Sequence, residues 1–491
     1  MGAFGNFLSL RAGRDAASTL FAALALVVGL TSSVMFYDGD TNWHVATGLW
    51  ILDHRVVPTS DIFSFTAAGR KWVTHEWLSE LLMGTAFKVF GWSGVRVLTA
   101  VAFAVASGVL ARELLRHVGL VAGLMVVAVI FPVLVPHVIA RPHTLALPIL
   151  AIFVAELLRA RRAGQRPSLW LLPLMVLWAN IHGSYILGPV FAGFFALETL
   201  IETAQDRMRA TLPWIGFSVA ATACCLVTPS FIDGFLFPFT LVKMKSIASI
   251  SEWGPAVFSD MSPLEICILA TFFLVAYKRI EIGVARLALV LILLHMTLQH
   301  VRQEMVLVLV GAMVLAEPIG NALARSRQDT TAAVGAPRVA AASPDDRAAR
   351  RISAAALLAI ILVCVARLAV PEPREETAVT PIAALAKVPI RIRNQPVFNE
   401  YSIGGWLIFN HIRSFIDGRN DMYGDELFQQ YLDCAHGNTA RMSEVFARYR
   451  IAWVIMPPTS PVIDWVARQP GWRALYRDKL SAVYIRDQPA T

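Results

Sequence analysis

The stretch FYDGDTNWHVATG, residues 36–48, places Asp38, Asp40, Asn42 and His44 within seven residues, directly after an apolar run from Ala16 to Phe36. A carboxylate at such a boundary can act as a general base and take a proton from an attacking hydroxyl. Other groups suited to chemistry also sit at the ends of apolar runs. They are His75 and Glu76, Arg141 and His143 in PHVIARPHT, His182 in WANIHGSY, Lys243 and Lys245, and His300 with Arg302. Guanidinium groups hold a phosphate as a bidentate fork, and ammonium groups hold it as a point charge. A base, phosphate-binding cations and an apolar groove together suit group transfer from a lipid phosphate to an acceptor hydroxyl.

Each residue also has a plainer reading. Asp40 could cap a helix N-terminus. Asp38 lies nearer the apolar run and is expected to be drier, with a raised pKa; Asp40 is the first choice for the base and Asp38 the second. Arg141 precedes Pro142, which puts it on a loop, where it could be an interfacial anchor. Trp43, Trp72, Trp77 and Trp92 read as a membrane-interface belt. Asp61, Lys88 and Asp233, taken singly, read as water-facing loop residues. His75 and Glu76 could bind acceptor or a divalent metal, but no third ligand stands at a defined spacing, so no metal or other cofactor is assigned. Asp417, Arg419, Asp421 and Asp425, in FIDGRNDMYGDE, read as a structural turn or a glycan contact.

The elements that must position these groups follow from composition. The chain is 491 residues long, 56% hydrophobic and only 16% charged, against roughly 25% charged in soluble proteins. It is expected to be a mostly α, polytopic membrane protein. Its net charge of +8 is assigned to Lys and Arg in inner loops, not to nucleic-acid binding. The five cysteines form no metal or disulfide pattern. Apolar runs near 16–36, 93–112, 118–136, 144–160, 168–180, 185–203, 211–228, 263–278, 282–299, 304–323 and 352–370 give about eleven spans. The segment 76–90 is expected to lie flat at the interface, because then every Arg/Lys-rich loop falls inside.

This scheme puts the N-terminus in the cytoplasm and the candidate groups on the outer face. The expected division is a transmembrane core over 1–323 with a long first outer loop (37–92), a flexible cytoplasmic linker (324–351), a last span (352–370) and an extracytoplasmic α/β domain (371–491). In that last domain, strands are expected at 396–399, 405–410, 414–417, 451–456 and 481–486, with helices near 425–449 and 461–469.

The first span ending in an acidic motif, the long first outer loop and the outer C-terminal domain resemble the GT-C superfamily of polyprenyl-phosphate-dependent membrane glycosyltransferases. The likeness is closest to the branch of protein mannosyltransferases and the aminoarabinose transferase of lipid A. It rests on DGDTNWHVATGLWILDHRVVPTSDIFS (38–64) and VFGWSGVRVL (89–98). Two departures stand out: HEWLSELL (75–82) replaces a proline-containing motif, and Asp38-Gly39-Asp40 replaces an Asp-Glu pair. The resemblance implies a GT-C-like fold in a bacterial inner membrane. It also implies a polyprenyl-phosphate sugar donor, a glycan, lipid or protein acceptor, and inverting transfer with an Asp base. Two other readings stay open. One is a ligase or polymerase of the O-antigen kind, using Arg141/His143 or Arg302/His300. The other is a polysaccharide or lipid carrier, which would need charges along a path at mid-membrane.

Overall fold

A computed structural model of the chain describes residues 2–203, 205–334 and 346–487. The helices of the core are α1 (Gly2–Thr31), α2 (Asp40–His54), α3 (Trp77–His117), α4 (Leu120–Leu134), α5 (Pro142–Arg162), α6 (Leu171–Ile181) and α7 (Leu187–Glu202). There follow α8 (Arg207–Cys224), α9 (Phe231–Leu241), α10 (Pro263–Tyr277), α11 (Val284–Gln299), α12 (Glu304–Val334) and α13 (Asp346–Ala369). Among the described residues, seven helical segments, beginning at Ala12, Trp77, Leu120, Pro142, Gly183, Val301 and Arg347, are long and apolar enough to cross a membrane. The expected spans near 168–180, 263–278 and 282–299 are apolar helices of 11, 15 and 16 residues, short against the roughly 20 that a span needs. The region is a bundle of several apolar helices, and the count of eleven is not established.

The segment 76–90 is helical and runs into the next span as α3, but not along one axis. Gly91 sits at φ 60° and ψ −151°, a backbone region open chiefly to glycine. Beyond the break a Cβ on Gly94 would lie 2.2 Å from the Ala86 carbonyl oxygen, so the chain doubles back sharply there. Small residues set the helix packing elsewhere. On α1 and α3, Gly29 meets Ala100, and Gly108 meets Ala22. At the crossing of α2 and α3, a Cβ on Gly48 would fall 1.9 Å from the Glu80 carbonyl oxygen. That crossing fixes the register of α2, and hence where Asp40 and His44 stand.

At the end of α5 away from Arg141, charged side chains close the bundle. Arg162 contacts Glu113 and bonds Glu317 at 3.2 Å. Arg286 bonds both Glu198 and Glu317 at 2.8 Å. These pairs tie α3, α5, α7, α11 and α12 together. The expected linker over 324–351 is helical where it is described, since α12 reaches Val334 and α13 begins at Asp346; the rest of it lies outside the described residues. Alanine-rich sequence with few breakers extends a helix, so polarity alone misplaced that boundary.

After α13 the chain forms α14 (Ile382–Lys387), α15 (Ile390–Arg393), β1 (Val397–Asn399), α16 (Gly404–Phe409), α17 (Asn420–Ala435), α18 (Thr439–Arg448), β2 (Trp453–Met456), α19 (Pro461–Val466), β3 (Trp472–Arg477) and β4 (Ala482–Arg486). The sheet order is β1-β2-β4-β3, with β1 parallel to β2 and the other pairs antiparallel. Two strand expectations change and one further strand appears. Residues 405–410 are mostly helix, 414–417 make only an isolated bridge from Ser414 to Ser64, and 472–477 is a strand that the pattern did not reveal. A short apolar run has no period by which helix and strand can be told apart.

Glycines let this domain dock directly on the acidic motif. A Cβ on Gly39 would meet the Ser402 carbonyl oxygen at 2.1 Å, one on Gly405 the Gly39 oxygen at 2.2 Å, and one on Gly418 an Asp40 carboxylate oxygen at 1.7 Å. A fully buried ion cluster holds the same seam. Arg419 Nη1 donates to Asp61 Oδ1 at 2.7 Å, while its Nε and Nη2 donate to the two Asp417 oxygens at 2.8 Å. Trp72 lies 4.7 Å from that guanidinium. Asp61 is therefore a buried anchor, not a water-facing loop residue, and Asp417 and Arg419 are structural. Trp43, Trp72 and Trp92 are likewise buried and do not form an interface belt, because the docked domain covers the loop that carries them.

Candidate active site

The Asp38-Gly39-Asp40 turn leads straight into α2. The N–H of Asp40 donates to Asp38 Oδ1 at 2.7 Å, so Asp38 satisfies the start of the helix and the Asp40 side chain is free to point elsewhere. It points at Arg141. Pro142 opens α5 and holds Arg141 extended, at φ −134° and ψ 160°, which projects its guanidinium into the end of the bundle that meets the acidic turn. There Nη2 donates to Asp40 Oδ2 at 2.5 Å, and Nη1 donates to Asp38 Oδ2 at 3.2 Å and to Glu252 Oε2 at 2.7 Å. Glu252 comes from the loop between α9 and α10. Its second oxygen lies 3.4 Å from Arg302 Nη1, and the Arg302 guanidinium stacks 4.2 Å over the Trp253 ring. His300 Nδ1 lies 2.6 Å from the Trp253 carbonyl oxygen.

The electrostatics of this group separate its carboxylates. Burial pushes the Asp40 carboxyl up to about 7; Arg141 opposes that rise, while Asp38 and Glu252 add to it. The carboxyl that burial raises is thus Asp40, and the two side chains are about equally enclosed, against the expectation that Asp38 would be the drier. Burial alone would also raise Glu252, but Arg141 and Arg302 outweigh it and hold that carboxyl at about 2. Burial disfavours the Arg141 charge, yet its carboxylate partners keep it firmly protonated.

A second group lies beside the first. Glu76 Oε1 is 3.6 Å from His75 Nε2 and 3.5 Å from His182 Nε2, and Glu76 Oε2 is 3.9 Å from His44 Nε2. His44 Nδ1 reaches Glu80 Oε1 at 3.3 Å. Burial would raise Glu76, but His75 foremost, with His182 and His44, holds it well below the usual carboxylate range. Burial lowers His44 to about 3 and His182 to about 4, so both are neutral imidazoles at pH 7. Burial opposes the charge on His75 as well, but Glu76 wins and its pKa is raised. From the C-terminal domain, Asp421 acts on His75 and Glu76 electrostatically, and burial lifts it to about 6. Among the described residues, no three His, Cys, Asp or Glu side chains are grouped to hold a metal ion.

Both groups border one cavity of about 660 Å³. Asp38, Glu252, Arg302, His75, Glu76, His143, His182 and His300 line its polar end, and Leu147, Leu187, Phe237, Leu241 and Met305 its apolar side. Arg141 is not in that lining; it is enclosed by carboxylates, and Arg302 is the guanidinium that faces the cavity. Lys243 and Lys245 are exposed and do not join the group. Lys245 instead gives its backbone N–H to Asp425 at 3.2 Å, which assigns Asp425 to holding the loop that carries Glu252. Glu252 is a site residue that the sequence does not mark. Nothing in its flanking residues marks a contact to Arg141, 111 positions away.

No family model matches the chain, and no curated protein matches its sequence. Solved structures do match its fold. One is the archaeal oligosaccharyltransferase AglB from Archaeoglobus fulgidus in complex with an inhibitory peptide and a dolichol-phosphate, with a TM-score of 0.53 at 13% identity, covering 90% of this chain and 69% of that one. Another is the apo form of the Archaeoglobus fulgidus oligosaccharyltransferase, with a TM-score of 0.52 at 13% identity over the same shares. At this identity the likeness is one of fold alone.

Proposed function

We propose that the chain is a membrane glycosyltransferase that moves a sugar from a polyprenyl-phosphate donor to a hydroxyl of a glycan, lipid or protein acceptor. One observation carries this reading: a buried carboxylate poised near neutrality, Asp40, shares the Arg141 guanidinium with Asp38, and Asp38 lines a cavity that has an apolar side and a guanidinium, Arg302, in its polar lining. The dolichol-phosphate held by the structural relative supports a lipid phosphate as the donor's anchor.

In the proposed reaction the acceptor oxygen attacks the anomeric carbon from the side opposite the phosphate. Its proton passes to Asp40 Oδ. The bond between the anomeric carbon and the phosphate oxygen breaks, and its electron pair stays on the polyprenyl phosphate. Arg302 stabilises that leaving group through a forked contact. Arg141 keeps Asp40 ionisable near pH 7, where a general base is most effective. His75, Glu76 and His182 face the same cavity and offer donors and acceptors to the acceptor's hydroxyl groups. His143 and His300 belong to the donor side with Arg302. Attack from the far face inverts the anomeric centre, as in the mannosyltransferase and aminoarabinose transferase branch.

A ligase mechanism built on Arg302 and His300 is the second reading, because both side chains line the cavity. The test is to incubate the purified chain in lipid nanodiscs with a polyprenyl-phosphate hexose of known anomeric configuration and acceptor glycans or lipids. Product of opposite configuration supports the proposal. Product of retained configuration, or none with any acceptor while donor is bound, contradicts it.

A further inference from the structure

The candidate active site accounts for the end of the bundle that meets the acidic turn, but a second cavity lies at the other end. It has a volume of about 580 Å³ and is bordered by Glu156 and Arg159 near the end of α5 and by Arg166, Ser168, Leu169 and Trp170 in the connection to α6. Arg141 precedes the first residue of α5, and α5 is 21 residues long. At 1.5 Å per residue, Glu156 and Arg159 stand about 22–27 Å along α5 from Arg141, close to the thickness of the hydrocarbon layer.

The cavity combines two features seldom found together on a soluble surface. Leu169 and Trp170 are 62% and 47% exposed, and apolar and aromatic side chains at this depth face lipid, with tryptophan favouring the headgroup level. Beside them stand two guanidinium groups. The neighbouring Arg161 and Arg162 are consumed by Glu202, Glu317 and Glu113 in the ion network. Among the described residues Arg159 pairs with no carboxylate but Glu156, at the cavity wall, and it stays 57% exposed. Arg166 is exposed and pairs with no carboxylate among the described residues. One positive charge is thus left uncompensated beside a lipid-facing rim.

We propose that this cavity binds the headgroup of an anionic phospholipid in the leaflet away from the active site. Arg166 and Arg159 take the phosphate, Ser168 offers a hydroxyl, and Leu169 and Trp170 lie along the acyl chains. Basic pockets of this kind, between spans and next to the bilayer surface, recognise anionic headgroups through the charge left after local pairing.

The experiment is native mass spectrometry of the full chain released from detergent in the presence of phosphatidylglycerol, phosphatidylethanolamine or phosphatidylcholine at equal concentration. The wild type should retain phosphatidylglycerol about tenfold better than either other lipid. R166Q should lose most of that preference and R159Q/R166Q all of it, whereas R302K should keep it. Arg166 is exposed and unpaired, so R166Q leaves the fold intact. Unchanged phosphatidylglycerol retention in R159Q/R166Q overturns the site, and so does equal retention of the three lipids. Displacement of phosphatidylglycerol by millimolar inorganic phosphate would mark a free-anion site and overturn the assignment to a lipid.

Discussion

Asp40 Oδ2 lies 2.5 Å from Arg141 Nη2, and the same guanidinium also reaches Asp38 and Glu252. One cation therefore serves three carboxylates. The burial that lifts Asp40 to about 7 is opposed first by Arg141. In the proposed mechanism the base must be ionised, so kcat/KM is expected to rise tenfold per pH unit below pH 7 and to level off above it. Arg141→Gln removes the charge that lowers Asp40 and should move the midpoint upward. Glu252→Gln removes a charge that raises Asp40 and should move it downward. A pH profile of transfer for the three proteins checks both signs, and coincident midpoints would mean that Asp40 is not the titrating group.

Arg302 should carry donor affinity. Its planar fork is held flat against Trp253, a geometry that lysine cannot reproduce. A charge-assisted hydrogen bond is worth about 1.5–3 kcal/mol, so Arg302→Lys should weaken binding of polyprenyl phosphate by roughly 10- to 100-fold. Titration of the purified variant with polyprenyl phosphate measures this. Equal affinity would remove Arg302 from the phosphate site.

The seam between the first outer loop and the C-terminal domain should be costly to break. Asp61 and Arg419 are fully buried as side chains. Arg419 keeps Asp417, but removing Asp61 leaves Arg419 Nη1 and the Phe63 and Ser64 donors without their buried acceptor, at about 1–3 kcal/mol for each unsatisfied group. Asp61→Leu should lower the apparent Tm by several degrees and release the C-terminal domain to proteolysis. Asp53→Ala, which breaks the exposed pair with Lys88, should change the Tm little. Thermal unfolding in detergent compares the two.

The orientation is tested with impermeant thiol reagents on single cysteines in a cysteine-free chain. Gln165 and Glu426 are both exposed and lie at opposite ends of the protein. Glu426→Cys should label in intact cells, and Gln165→Cys only after lysis. The reverse pattern would place the candidate active site in the cytoplasm.

Much of the fold was legible because apolar run length is a strong signal. The acidic turn before α2 and Arg141 held extended by Pro142 follow from local sequence. The site was legible as a list of residues but not as a partition among roles. Arg141 and Arg302 have the same chemistry on paper, and only packing encloses the first among carboxylates and turns the second toward the cavity. Glu252 was invisible as a partner because its contacts are long-range. Glycines 39, 405 and 418 could not be read as a docking face, since nothing local says which backbone a missing Cβ admits. Residues 405–410 misled because so short an apolar run carries no period.

The central claim is that Asp40, and not Asp38, takes the acceptor proton. The direct measurement is transfer of radiolabelled sugar from a polyprenyl-phosphate donor by nanodiscs carrying Asp40→Asn or Asp38→Asn. Asn keeps the size of the side chain, so folding and donor affinity should stay close to wild type. A fixed general base contributes about 10²- to 10⁴-fold in rate; Asp40→Asn should lose most of that, and Asp38→Asn, whose side chain mainly holds the start of α2, should lose less. Near wild-type transfer by Asp40→Asn would contradict the account. If Asp38→Asn were inactive beside it, the base would be Asp38; if both were active, the cavity would work through Arg302 and His300.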